Sequence, residues 1–188
     1  MRYFIGFLVT IGLIIVIVFL LLTGGGKGKT TVQPLTVDSF VNSDTAVAEM
    51  IIDSPIQANQ IHNDIKIDVT KAEVTMTVYQ GYDQTVLRGQ SYVNNDQSFA
   101  AFMHALQHAG FTKGNKDPLL KDERGYCPSG NRTIYSLSTA EKQLIRYWRT
   151  SCGEGTFGGS ISVVNYLFRQ QIPMKDFQAL TKDLPTSL

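Results

Sequence analysis

The stretch Ile65-Lys66-Ile67-Asp68-Val69-Thr70-Lys71-Ala72-Glu73-Val74-Thr75-Met76-Thr77-Val78-Tyr79-Gln80 decides the fold. Ile65, Ile67 and Val69 alternate with Lys66, Asp68 and Thr70. After a polar break, Val74, Met76 and Val78 alternate with Thr75, Thr77 and Tyr79. A period of two sends alternate side chains to opposite faces, so each run reads as a half-buried strand, apolar side in and polar side out. Upstream, Val47 to Ile52 is another strand, stopped by the breaker Ser54-Pro55. Downstream, Gln80-Gly81-Tyr82-Asp83 is a turn into a strand from Thr85 to Val93.

The period then changes. Asn95-Asp96 offers an N-cap, and Phe99, Phe102, Met103 and Leu106 follow at helical spacing until Gly110 closes the helix. Residues 112–132 show no periodicity, a long stretch for a connection inside a compact domain. Thr133 to Ser138 and Lys142 to Thr150 are two further strands. Ser160 caps a helix through Gln171, and Pro173 opens a last one carrying Phe177, Leu180 and Leu184. The order specifies an α+β fold over residues 34–188: one two-layer domain with a mostly antiparallel sheet and two or three packed helices.

The amino terminus belongs to another class. Of the 20 residues Tyr3 to Leu22, 17 are hydrophobic, against 63 of the 166 residues that follow, so the 43% for all 188 residues averages two populations. Twenty residues of helix rise about 30 Å, the thickness of a bilayer core. The run is longer than a signal-peptide core and ends without an A-x-A site, in Thr23-Gly24-Gly25-Gly26. The expectation is a transmembrane signal anchor over residues 1–23, crossing the membrane through residues 3–22, and a Gly-rich tether over 24–33. Basic residues flank both ends of the span, Arg2 on one side and Lys27 and Lys29 on the other, so they barely orient it.

Cys127 and Cys152, the only two cysteines, both lie in the domain. An even number suits one disulfide, which needs an oxidising compartment, so the C-terminal domain is expected outside the cytoplasm; two separate buried thiols are the alternative. Net charge is +1, which argues against nucleic acid as the main partner. Within that total, residues 30–110 carry three basic and nine acidic side chains, and residues 111–149 carry eight basic and four acidic.

Three motifs invite chemistry. Gly153-Glu154-Gly155-Thr156-Phe157-Gly158-Gly159 satisfies G-x-G-x-x-G between a strand and a helix, and it resembles a protein-kinase glycine-rich loop over about seven residues. No second parallel strand with its acid follows, nor any V-A-I-K, H-R-D or D-F-G, so neither nucleotide nor other cofactor is expected. The glycines serve a tight strand-to-helix connection beside Cys152. His104 and His108 stand four apart on one helix, a spacing two metal ligands use, but H-E-x-x-H is absent and His62 is the only other histidine. Both should be solvated on the face away from the apolar stripe.

Arg146-Tyr147-Trp148-Arg149 combines two cations with two rings beside Cys152. Arg146 and Trp148 share one face of the strand and Tyr147 and Arg149 the other, so whichever is exposed offers a guanidinium and a flat ring. With Tyr126 these residues form the candidate binding surface, unless the lone tryptophan is simply core. The leading expectation is therefore a membrane-anchored, non-catalytic binding or envelope-assembly module that meets a protein, peptide or cell-envelope partner. A small exported hydrolase with a His-based metal site, and a purely structural membrane-anchored subunit, are the two rivals.

Overall fold

The alternating runs pair with their apolar sides in phase. In a computed structural model that describes residues 35–184, β1 (Val47–Asp53), β2 (Asn63–Val69), β3 (Glu73–Gln80), β4 (Thr85–Val93), β5 (Arg132–Ser138) and β6 (Gln143–Thr150) form one sheet. Its order is β4-β3-β2-β1-β5-β6, and every pairing is antiparallel. Three helices complete one α+β domain: α1 (Asp96–His108), α2 (Ile161–Arg169) and α3 (Met174–Thr181). The anchor expected over residues 1–23 and the tether over 24–33 lie outside the described residues. Among the described residues no helix is long and apolar enough to cross a membrane.

Register decides which side chains share a face. Met50 stands opposite Ile67 on β2 and Tyr135 on β5, and Tyr135 stands opposite Tyr147 on β6. These side chains and their alternate neighbours are buried together with Phe99, Phe102, Met103 and Leu106 of α1, Val164 and Phe168 of α2 and Phe177 of α3. Phe111, just past α1, joins the rings: it lies 5.9 Å from Phe168, 6.2 Å from Tyr135 and 6.5 Å from Phe157. Each large side chain removed from water contributes about 1.5–3 kcal/mol, so this contiguous cluster dominates the stability. Asn95 caps α1 by accepting from the Ser98 N–H at 2.9 Å, and Gly110 ends it at φ +77°. Ser160 occupies the cap position of α2, but its side chain makes no cap bond, and that helix stops at Arg169 rather than Gln171.

The opposite face of the sheet is polar over β1–β3 and covered over β5–β6. Asp68, Glu49, Ser136 and Arg146 form one cross-strand row, and Asp64, Asp53, Arg132 and Thr150 another. Between them the row Lys66, Ile51, Ile134, Trp148 turns apolar toward β6. After residues 113–115 pair along the edge with the 156–158 segment, residues 118–131 lie over this apolar end, tied down by the Cys127–Cys152 disulfide. Most of the stretch without periodicity is thus a cover for a sheet face, with one turn of 3-10 helix, Pro118–Leu120, as its regular element. The glycine motif also has a backbone role. Trp148 O accepts from the Thr156 and Phe157 N–H groups, and Gly155 and Phe157 bridge to Arg149 and Gly114, so the segment lines the outer edge of β6. A Cβ on Gly155 would meet Trp148 O, which is why this close approach takes glycine.

Candidate functional site

The four residues of the expected binding surface go to different places. Trp148 is 1% exposed, and its Nε1–H donates to Leu120 O at 2.8 Å. Tyr126 packs on it with ring centroids 4.9 Å apart. Arg146 is held by Glu123, with Nη1 to Oε2 at 2.7 Å and Nη2 to Oε1 at 2.7 Å. These contacts fix the cover loop on β6, so the tryptophan is core, as the plainer of the two sequence readings has it, and it offers no exposed ring. Tyr147 is buried on the helix side.

Arg149 differs. It points to the helix side at the end of β6, opposite Thr133, and lines a pocket of about 240 Å³ with Arg169 of α2. Met50, Ile52 and Ile161 supply apolar wall, and Thr133, Asn165 and Ser151 supply polar atoms. No carboxylate lines the pocket, and among the described residues neither arginine has a carboxylate within 4 Å, although Glu154, outside the lining, is near enough for Arg149 to help lower its pKa. Arg169 instead lies over the Phe177 ring, 4.8 Å from its centroid. Asn165 Oδ1 accepts the Tyr135 hydroxyl at 2.6 Å, which turns its Nδ2 donors elsewhere. Two guanidinium groups beside an apolar wall suit a ligand with a carboxylate next to an apolar group. Sequence reading missed Arg169, because nothing in the α2 pattern tells that its last turn reaches the end of β6.

His104 and His108, which only the rival hydrolase reading makes metal ligands, belong to no group of three metal-ligating side chains among the described residues. Both rings are exposed, as the helical wheel requires, and His104 Nδ1 meets Asp38 Oδ1 at 2.8 Å. His62 lies elsewhere, in a polar cluster at the loop end of the β1–β2 hairpin. Asp53 ends β1 and faces Asp64 near the start of β2, and Arg132 flanks Asp53 from β5. Two carboxylates directly opposite on adjacent strands repel, so something must offset them. Arg132 Nη2 binds Asp53 Oδ2 at 2.8 Å and donates to Ser54 O at 3.2 Å. His62 turns Nε2 toward Asp53 Oδ1 at 3.4 Å and Asp64 Oδ1 at 3.3 Å, while Tyr82 stacks on the ring at 4.1 Å. Burial, and then the adjacent Asp53, push the Asp64 carboxyl up to about 7.

Ser54 Oγ stands 3.0 Å from His62 Nδ1, so the cluster holds a Ser-His-Asp array. It lacks what nucleophilic catalysis needs. Ser54 is 0% exposed, and its oxygen accepts from the Asn63 N–H at 3.1 Å and Gln57 Nε2 at 3.4 Å. A substrate carbonyl has no path to it. A second charged group, on the open part of the polar face, is Lys66 between Glu49 at 2.8 Å and Asp68 at 3.2 Å. There, burial pushes Asp68 up to about 6, against the pull of Lys66.

The chain matches no protein-family model, and no curated protein matches it in sequence.

Proposed function

We propose that the chain is a single-pass membrane protein whose domain lies outside the cytoplasm and binds, without catalysis, a partner bearing a carboxylate beside an apolar group. The end of a peptide or of a cell-envelope polymer has this chemistry. The observation that carries the reading is the pocket shared by Arg149 and Arg169, two cations with no carboxylate in the lining and an apolar wall beside them. Both arginines are half-buried, and a guanidinium recognises a carboxylate in a planar, two-point geometry that lysine cannot reproduce. The apolar wall of Met50, Ile52 and Ile161 then selects a ligand over bare acetate or phosphate. Support for export comes from the disulfide, which persists in oxidising compartments, and support for the anchor comes from the 17 hydrophobic residues among Tyr3 to Leu22.

The test is a binding titration of the detergent-solubilised full chain with two short peptides ending in leucine, one with a free carboxylate and one amidated. The free acid should bind, the amide at least tenfold more weakly, and R149Q with R169Q should erase the difference. Equal binding of acid and amide, or unaltered preference in the double variant, contradicts the proposal.

A further inference from the structure

We infer that Asp53, His62 and Asp64 form a largely closed site for a divalent metal ion of zinc type, which clamps the loop end of the β1–β2 hairpin. It is independent of the carboxylate pocket. The first argument is distance. Two ligand atoms of a tetrahedral zinc ion, each about 2.0–2.1 Å from the metal, stand about 3.3–3.4 Å from each other. His62 Nε2 stands 3.3 Å from Asp64 Oδ1 and 3.4 Å from Asp53 Oδ1. All three ligand atoms lie within 4.8 Å of one another.

The second argument is what these atoms lack. Neither carboxylate oxygen has a hydrogen-bond partner, although the Asp64 side chain is only 10% exposed. Buried carboxylate oxygens without a donor are costly, and a cation removes that cost. The histidine orientation agrees. His62 Nδ1 is held by Ser54 Oγ at 3.0 Å and Pro55 O at 3.3 Å, and the tautomer with its proton on Nδ1, which the Pro55 carbonyl can accept, is the one that leaves Nε2 free for an ion. Nε2 then points its lone pair at two oxygens that also carry lone pairs. A ring held from behind through Nδ1, with Nε2 free, is the usual posture of a metal-bound histidine. Arg132 plays the matching part for Asp53: it binds Oδ2 and leaves Oδ1 facing inward.

The ligand set narrows the ion. One imidazole and two carboxylates suit zinc, and they lack the thiolates that would favour copper(I) and the six oxygens that would favour magnesium or calcium. His62 is 2% exposed, and Tyr82 lies across its ring, so substrate has little access. Three protein ligands leave the fourth position to water, and with substrate kept out the site supports folding rather than catalysis.

The full chain, purified in detergent and stripped with EDTA, is melted with increasing Zn²⁺ and separately with Mg²⁺. Zinc at about 100 times its dissociation constant should raise Tm by about 6–10 °C, with little response to magnesium. H62Q should lose the zinc response, and H104Q with H108Q should keep it. Because H62Q can fail to fold, the stripped native protein is also titrated with Co²⁺, which should develop the visible absorption of a four-coordinate N/O site at one equivalent. No zinc shift together with no cobalt band overturns the inference, and so does a zinc response that depends on His104 and His108.

Discussion

Removing the disulfide tests how the cover loop is held on the sheet. The perturbation is the double variant C127S with C152S, which leaves no unpaired thiol. The bond joins residues 25 apart in sequence. Opening a loop of that length returns to the unfolded chain an entropy worth about 3.5 kcal/mol at 25 °C. For a domain of this size the loss lowers Tm by about 7–14 °C. The structure adds a local readout, because Trp148 is the only tryptophan and sits beneath the cover, hydrogen-bonded to Leu120 O and stacked by Tyr126. Tyr126 adjoins Cys127, so losing the bond loosens the contact that shields the indole. In the native protein, far-UV circular dichroism and tryptophan emission should melt together. In the variant the emission should shift to the red several degrees before the sheet signal falls. An unchanged Tm, or two signals that still coincide, refutes the view that the disulfide holds this cover in place.

Two further predictions concern the polar face and the core. Asp68 has its pKa raised to about 6 from an ordinary value near 3.8, so folding takes up a proton and stability falls as pH rises between those values. Asparagine does not titrate, so D68N should gain Tm relative to the native chain at pH 7.5 and lose that gain at pH 3.5; equal differences at both pH values refute the burial argument. Phe111 is fully buried among Tyr135, Phe157 and Phe168, and F111A should cost about 3–5 kcal/mol in denaturant melts, whereas a loss below 1 kcal/mol would show that the rings do not pack as one cluster.

The sheet was legible because its apolar positions keep a strict period of two. Ile65, Ile67, Val69, Val74, Met76 and Val78 are all buried, and their alternates face the polar side. Helix α1 was equally legible, from its asparagine cap to its glycine stop. Alternation says which side chains share a face and is silent on what covers that face. Trp148 and Arg146 do share one, yet a loop with no pattern of its own lies over them. The Asp53, His62, Asp64 cluster was hidden for a different reason. The two aspartates are neighbours only through the hairpin register, and His62 is far in sequence from the other histidines. With the register known, a facing pair of acids was the available signal, since it demands a nearby cation. Arg149 was marked by sequence; its companion Arg169 required knowing where α2 packs.

The most direct test of carboxylate recognition observes the arginines themselves. Nitrogen-15 NMR of the Arg side-chain Nε–H groups, with R149K and R169K to assign them, is recorded while the leucine-terminated peptide acid is added. Arg149 and Arg169 should shift together and saturate with one binding constant, while Arg146, held by Glu123, stays in place. Shifts at Arg146 or Arg124 with none at Arg149 and Arg169 would contradict the proposed site, as would no response from any arginine.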